Sequence, residues 1–190
     1  MEYIDLYDRN HRATGEIWPR SEPVPPDRCS LVISFWIRDR AGRLCLEQRS
    51  PSKRWFPGWW ECGGGCAQAG ETGFDAATRE VAEETGLTPG SNCWRLLGEL
   101  ENEETLDGIY FHHWNLSYLV TLEEETPALT LQGEEVAGAQ WFTPEELDAF
   151  CETAQVTVYT RRLWSAYRDQ LTAPIPKAKK KGPGNGRPAG

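Results

Sequence analysis

Residues 65–87 of the chain read GCAQAGETGFDAATREVAEETGL, and this stretch decides the fold. Its second half is rich in helix-forming residues. The pattern predicts a helix that starts near Thr72 and stops at Gly86, because glycine is typical of the C-terminal cap. The helix face opposite the one that carries its glutamates is apolar or small, so we expect it to pack on a sheet: Phe74, Ala77, Val81 and Thr85.

The same helix carries three glutamates at helical spacing, Glu80, Glu83 and Glu84. Residues separated by three or four positions share one face, so the pattern points three carboxylates into one small volume. Like charges this close repel each other unless a cation lies among them. Oxygen ligands without sulfur or imidazole suit Mg²⁺ or Mn²⁺. Taken alone, the glutamates also fit an acidic, solvated surface helix.

The remaining fixed positions favour the metal site, because the whole stretch resembles the Nudix box. That motif is a glycine, five residues, a glutamate, seven residues, then Arg-Glu-aliphatic-any-Glu-Glu-any-Gly-aliphatic. Every fixed position is matched here, by Gly65, Glu71, Arg79, Glu80, Val81, Glu83, Glu84, Gly86 and Leu87. The resemblance implies an α/β fold, the Nudix α/β/α sandwich with a mixed sheet. It also implies hydrolysis of a diphosphate linkage by a metal-activated water, with Mg²⁺ or Mn²⁺ as cofactor.

The resemblance also implies a role for each residue of the box. The catalytic metal ligands would be Glu80, Glu83 and Glu84, and Gly65 would belong to the metal site. Glu71 and Arg79 would be mainly structural, and Arg79 is spaced to pair with Glu83 on the helix.

A loop before the box holds three cations, Arg49, Lys53 and Arg54. Such cations are well placed to hold phosphate oxygens across from a metal. Related enzymes use a Gln-Arg-Ser and a following lysine in this way, so the resemblance assigns diphosphate contacts to Arg49 and Lys53. The alternative is that these are ordinary solvated cations.

A second acidic segment, Gln132 to Val136, precedes a Thr-Pro-Glu-Glu-Leu helix start whose N-cap is Thr143. In many Nudix enzymes the loop before this element supplies the catalytic base or another metal ligand. Glu134 and Glu135 are therefore candidates for that role, and solvated loop acids are the alternative.

The remaining pattern predicts three parts: an N-terminal β-hairpin with its connector at 1–28, the catalytic domain at 29–172, and a disordered basic tail at 173–190. After the helix, 94–100 and 110–122 indicate strands separated by an acidic turn at 101–108. His112 and His113 fall in the second of these strands and must face opposite sides of it. They cannot both bind one metal from a regular strand.

Composition limits the partners. The net charge of the 190-residue chain is −9, and residues 1–176 hold 15 basic residues against 29 acidic ones. This balance argues against a nucleic-acid polymer as partner and favours a small-molecule diphosphate. The chain lacks a membrane-spanning apolar run and a signal peptide, so we expect a cytoplasmic protein with no membrane partner. Its six cysteines are scattered and are expected to be free thiols; a zinc site at Cys62 and Cys66 lacks further ligands.

Two other functions are weighed against hydrolysis. The hairpin and the Arg49/Lys53 loop also resemble isopentenyl diphosphate isomerase, but the cysteine that this isomerase places before a Gly-His pair is absent, unless Cys62 or Cys66 substitutes. A module that senses a nucleotide or diphosphate without cleaving it is the second alternative. Homodimers are frequent among the relatives, and a homodimer is an expectation here.

Overall fold

The structure is a computed structural model that describes residues 1–153 and 155–175. In this part of the chain, nine strands form one mixed sheet that is accompanied by three α-helices. The basic tail predicted at 173–190 lies outside the described residues from position 176 onward. The elements are β1 (Tyr3–Asp8), β2 (Ala13–Pro19), β3 (Arg28–Arg38), β4 (Leu44–Arg49), β5 (Trp60–Glu61), β6 (Gly63–Cys66), α1 (Gly73–Thr85), a short 3-10 helix (Ser91–Cys93), β7 (Trp94–Leu106), β8 (Ile109–Thr121), β9 (Val136–Phe142), α2 (Pro144–Cys151) and α3 (Val158–Thr172).

Strand β3 organises the sheet. Along one edge, residues 30–38 pair in parallel with residues 113–121 of β8. A strand has only two edges, so the three antiparallel partners of β3 share the other edge in turn. They are β1 opposite residues 28–30, β6 opposite residues 32–35, and β4 opposite residues 37–38. The predicted N-terminal hairpin is present as β1 and β2, and the glycine strand β6 pairs with β3 between the stretches that pair with β1 and β4.

The outer strands differ from the prediction at one place. Strands β7 and β8 pair over almost their whole lengths, and the turn between them is only Asp107–Gly108. Segment 101–106, expected to be part of an acidic turn, is therefore strand. Its acids at 101 and 103 are exposed and alternate with the more buried Asn102 and Glu104, which is the period of a strand. The high proportion of acidic residues in this segment favoured the prediction of a turn, although its burial alternates as in a strand.

The helices lie on both faces of the sheet. The side chain of Thr72 accepts a hydrogen bond from the Asp75 amide, and Gly86 caps the C-terminus of α1 with φ of 72°, which confirms the predicted helix. Small residues of α1 pack in a core with alternate residues of β3: Leu31, Ile33, Phe35, Ile37, Ala76, Ala77 and Val81. Trp36 points to the other face, into a second core that includes residues of α2 and α3. Together these layers form the expected α/β/α sandwich.

One residue of the α1 face that was expected to pack on the sheet is partly exposed. Phe74 is 38% exposed, and its ring meets Trp94 and Tyr118 edge-on or tilted at centroid distances of 5.4 and 6.2 Å. It lies on the first turn of the helix, where its ring packs against residues of β7 and β8. Within the described part of the chain, every helix is too short or too polar to cross a lipid bilayer.

Candidate active site

The site begins where β6 meets α1. Backbone pairing with β3 fixes β6, and the Gly64 amide donates a hydrogen bond to Glu84 Oε2 at 3.3 Å. A Cβ atom at Gly65 would lie 2.0 Å from Glu80 Oε1, closer than any real contact. The glycines are therefore required because the carboxylates of the helix lie against the main chain of the strand.

Arg79 joins the helix to the strand. Its guanidinium donates to both carboxylate oxygens of Glu71 at 2.8 and 2.9 Å, and to the carbonyl oxygen of Cys66 at 3.1 Å. Its Nη1 also donates to Glu80 at 2.8 Å and to Glu83 at 3.1 Å. The ion pair lowers the pKa of Glu71 and raises that of Arg79. Arg79 thus holds two of the candidate ligand carboxylates: the contact with Glu83 is the one that its spacing predicts, and the contact with Glu80 is additional.

The three glutamates of the helix lie in different surroundings. Glu80 and Glu84 are buried on the same side of the helix as Ala77 and Val81, so the carboxylates and the apolar residues are not on opposite faces as the two-face pattern suggested. The Glu83 side chain is 49% exposed. Burial raises the pKa of Glu80, against the opposing pull of Arg79, and burial together with neighbouring carboxylates raises that of Glu84.

Two further glutamates, which the sequence analysis did not select, lie beside those of the helix. We call the five carboxylates that line the site the acidic wall: Glu47, Glu61, Glu80, Glu83 and Glu84. Glu47 in β4 and Glu61 in β5 are directly opposite each other in the antiparallel pair. The pKa of each is raised, first by burial; the next cause for Glu47 is the charge of Glu61, whereas Arg49 opposes the rise at Glu61. Glu47 stands directly after three buried apolar residues of β4, and this acid at the end of an apolar run was the available signal.

The acidic wall faces a cleft of about 720 Å³. The loop cations Arg49, Lys53 and Arg54 line it, as the prediction required. Arg49 is hydrogen-bonded to Glu61, and Lys53 is hydrogen-bonded to Glu135. Burial and the neighbouring Arg49 lower the pKa of Lys53. Arg49 and Lys53 are therefore held by carboxylates in this structure.

The candidate bases differ in position. Glu135 lines the cleft, whereas Glu134 is exposed and is not among the lining residues. Arg20, at the end of β2, is a further lining cation that the sequence analysis missed. The positive charge of Arg20 opposes the rise in the pKa of Glu80 and contributes to the lowered pKa of Lys53. The N-terminal hairpin therefore contributes a wall of the cleft.

The floor of the cleft is neutral and polar. Ser30 and His113 Nδ1 are 2.8 Å apart, and the Asn115 amide donates to Ser34 Oγ at 2.8 Å. Burial lowers the pKa of His113 to about 4, so this imidazole is neutral at neutral pH. His112 faces the other way and is fully enclosed, with one ring nitrogen 2.9 Å from the Arg28 carbonyl oxygen and the other 2.6 Å from Glu101. The two histidines thus face opposite sides of the strand, as predicted.

Aromatic residues line the part of the cleft beyond the charged groups. Trp55 meets Phe111 edge-on at a centroid distance of 5.7 Å, and the Arg54 guanidinium lies 4.7 Å from the centre of the Trp55 ring. Tyr159, near the N-terminus of α3, is hydrogen-bonded to Glu104 of β7. The cleft therefore has room for a planar or apolar group beside its charged part.

The donor chemistry of the acidic wall fits a hard divalent cation, since it consists of carboxylate oxygens beside main-chain glycine. Glu47 Oε1 is a buried oxygen with no hydrogen-bond partner among the described residues, so it is available as a ligand for such a cation. As the side chains stand, no group of three or more His, Cys, Asp or Glu residues in the described segments converges as a metal-binding group. Arg79 draws Glu80 and Glu83 to itself, so ligation requires side-chain rotation.

Comparison with known proteins gives consistent results. Residues 30–162 match the model of the NUDIX domain. A Nudix hydrolase of Listeria monocytogenes is 34% identical over 160 residues, which cover 84% of this chain and 90% of that protein. A Streptomyces coelicolor protein named isopentenyl-diphosphate Delta-isomerase is 29% identical over 147 residues, 76% of this chain and 72% of that one. The solved structure of DR0079 from Deinococcus radiodurans has a TM-score of 0.69 at 23% identity, covering 88% of this chain and 98% of that chain, and shows a shared fold.

Proposed function

The chain belongs to the Nudix family of hydrolases, and from this membership we propose that it hydrolyses the diphosphate linkage of a nucleoside diphosphate derivative or a similar compound, with Mg²⁺ or Mn²⁺. The observation that carries the proposal is the meeting of three features in one cleft: the glycine strand β6, the buried carboxylates of Glu80 and Glu84, and the cations of the 49–54 loop. This combination supplies oxygen ligands for a cation and positive charge for phosphate oxygens.

The metal would be held by Glu80, Glu83 and Glu84 beside Gly65. A bound divalent cation supplies charge neutralisation at the phosphate oxygens and an activated water for attack on phosphorus. Within the chain, Arg79 keeps Glu80 and Glu83 close to β6, and Glu71 in turn orients Arg79. These contacts keep the ligand carboxylates beside β6, from where their side chains would rotate to reach the cation.

The substrate diphosphate would replace the carboxylates that pair with Arg49 and Lys53 in this structure. Arg49 and Lys53 donate to phosphate oxygens in place of Glu61 and Glu135, and Arg54 adds a third positive charge. Release from Lys53 would leave the Glu135 carboxylate able to accept a proton from water. Glu135 is preferred to Glu134 as the base because it lines the cleft.

We expect a small-molecule diphosphate as partner, because acids outnumber bases in the chain and the site is a cleft of about 720 Å³. The predicted cytoplasmic location and homodimer remain predictions.

The test is release of phosphate, pyrophosphate or a nucleoside monophosphate from a panel of nucleotide, nucleotide-sugar and prenyl diphosphates with Mg²⁺ or Mn²⁺. Glu84→Gln should lower turnover by about 100-fold or more, beyond the roughly 10- to 100-fold that loss of an outer-shell partner costs. Glu134→Gln is the matched control and should keep at least half of the activity. Near-normal turnover in Glu84→Gln would reject the site.

Isomerisation is the second candidate, favoured by the isomerase-named relative. Cys62 and Cys66 both line the cleft, Cys62 as a buried and Cys66 as a partly exposed residue, and burial raises the pKa of the Cys66 thiol to about 11. In the same panel, a rearranged prenyl diphosphate without hydrolysis would replace the hydrolase proposal by an isomerase. Ligand-dependent stabilisation without any turnover would instead indicate a sensing module.

A further inference from the structure

Three polar side chains stand side by side across the sheet, away from the glycine strand. Ser30 of β3 is opposite His113 of β8, and His113 is opposite Asn102 of β7. Residues that are opposite each other on neighbouring strands share one face of the sheet. All three line the cleft, and we call Ser30, His113 and Asn102 the polar row. None of them belongs to the Nudix box or to the loop of cations.

The polar row lies across the sheet from the candidate metal site. Strand β6 pairs with one edge of β3, whereas β8 pairs with the other edge and β7 follows β8. Neighbouring strands are about 4.8 Å apart, so His113 and Asn102 are displaced sideways from the glycine strand by roughly 10 and 14 Å. A substrate whose diphosphate lies beside β6 can therefore extend its other end over the polar row.

Two nitrogen atoms of the polar row lack a partner. Asn102 is 9% exposed; its Oδ1 accepts a hydrogen bond from Arg162 Nη1 at 2.9 Å, and its Nδ2 has no hydrogen-bond partner among the described residues. His113 Nδ1 is 2.8 Å from Ser30 Oγ, and its Nε2 is likewise unpaired in the part of the chain that the structure describes. Arg162 thus orients the Asn102 amide with its N–H groups left to donate, and Ser30 orients the imidazole.

Aromatic rings lie next to the polar row. Phe111 is two residues from His113 on β8, so both side chains are on one face, and their ring centroids are 5.7 Å apart. Trp55 in turn meets Phe111 edge-on. A flat ring with polar edge atoms would satisfy the aromatic surface and the free nitrogens together. A hydrocarbon chain in the same place would cover Asn102 and His113 and leave their polar atoms unpaired.

We propose that the polar row binds the end of the substrate that is remote from the diphosphate, and that it selects a planar ring with hydrogen-bond acceptors over a hydrocarbon chain. The inference rests on the proposed function and deepens it by naming residues that set the substrate class. Asn102 Nδ2 donates to an acceptor atom of the ring, His113 Nε2 forms a second hydrogen bond, and Phe111 contacts the ring itself. Polar groups that the wrong substrate leaves unpaired discriminate more strongly than an apolar pocket does.

The test compares ligands that share one phosphate and differ at the other end. Calorimetry with Mg²⁺ measures the binding of AMP, GMP, CMP, UMP, ribose 5-phosphate and dimethylallyl monophosphate to the full-length chain. The wild type should bind at least one nucleoside monophosphate roughly tenfold or more tightly than ribose 5-phosphate and dimethylallyl monophosphate, because only the nucleoside ring pairs with the row.

Two variants test the row itself. Asn102→Asp keeps the oxygen that accepts from Arg162 and removes only the N–H donors, and His113→Leu removes the imidazole. Each should reduce the preference for the nucleoside over dimethylallyl monophosphate about tenfold, while the affinity for dimethylallyl monophosphate changes less than about threefold. Asn92→Asp makes the same change at an exposed residue outside the cleft lining and should keep the wild-type preference. Circular dichroism confirms that each variant is folded.

The outcomes separate the polar row from the proposed hydrolysis. Equal affinities for nucleoside and dimethylallyl monophosphates in the wild type, or no binding of any nucleoside monophosphate, would overturn the inference; hydrolysis in the substrate panel would then leave the proposed function standing. Variants that weaken all the ligands equally would show that Asn102 and His113 support the fold rather than select the ligand. A nucleoside preference that both variants abolish, in a wild type that hydrolyses no member of the panel, would support the row and reject the hydrolysis.

Discussion

Replacement of Gly65 by alanine separates the chemistry of the site from the stability of the fold. The added Cβ would lie 2.0 Å from Glu80 Oε1 and 2.3 Å from Glu80 Cδ, so the carboxylate must move by more than 1 Å to reach ordinary contact. That carboxylate is the end of a side chain, and its rotation gives up the hydrogen bond from Arg79 to Oε1 at a cost of about 1.5 kcal/mol. The expected change is therefore a misplaced ligand in a folded protein.

Gly64→Ala provides the contrast one residue away. There the Cβ would lie 2.3 Å from the Ile33 carbonyl oxygen and 3.2 Å from Ser34 Cα, and main chain cannot rotate aside. Overpacking of this kind costs about 1–3 kcal/mol. At roughly 2–4 °C per kcal/mol for a chain of this size, Gly64→Ala should lower Tm by about 2–12 °C.

The assay measures Tm by calorimetry and turnover on the diphosphate identified in the substrate panel. Gly65→Ala should lower Tm by no more than about 6 °C and lose roughly 10- to 100-fold in kcat, the cost of disturbing ligand orientation. Gly133→Ala is the control, because nothing lies within 4 Å of a Cβ at that position. Equal activity in Gly65→Ala and Gly133→Ala would refute the reasoning.

Three further predictions follow from the ion pairs and buried acids. Arg79→Met should lower stability by roughly 2 kcal/mol, because its charge-assisted hydrogen bonds are lost, and should weaken Mn²⁺ binding; unchanged denaturant midpoints would contradict this. Lys53→Met should raise KM about tenfold with Tm almost unchanged, since its ion pair with Glu135 is partly exposed; an unchanged KM would remove Lys53 from the phosphate site. The raised pKa values of Glu47 and Glu84 mean that the folded state binds more protons than the unfolded state, so the metal-free chain should lose Tm as pH rises above the ordinary glutamate pKa. In EDTA, Tm of Glu47→Gln should fall less with pH than Tm of the wild type, and added Mn²⁺ should restore the Tm that the wild type loses. A wild-type Tm that rises from pH 5 to pH 8 in EDTA would contradict the raised pKa values of Glu47 and Glu84.

Sequence reasoning reached the features that depend on local spacing. The limits of α1 follow from Thr72 and Gly86, and the Arg79–Glu83 contact follows from a four-residue separation on a helix. The N-terminal hairpin was also predicted, since its strands are close in the sequence. In each case the residues that interact lie within about twenty positions of each other.

The features that were missed depend on how the strands pair and pack in the sheet, even where the paired strands are close in the sequence. Glu47 and Glu61 enter the site only because β4 and β5 are neighbours in the sheet, and Arg20 enters because β1 joins the edge of β3. The predicted strand β7 was too short because the acidic residues at its end are typical of a loop. Only the pairing with β8 shows that exposed and more buried residues alternate along this segment. Burial of an individual glutamate likewise follows from the packing of several elements, which no single stretch contains.

The shared edge of β3 has an evolutionary consequence. Because β1, β6 and β4 occupy successive stretches of one edge, the connections among them lie outside the paired segments. Insertions or deletions in those connections leave the hydrogen bonds of the glycine strand untouched. Descendants of such a chain can therefore vary the entrance of the cleft by drift and selection while they inherit the cleavage machinery intact. The same backbone plan can in this way acquire new substrates without a change of chemistry.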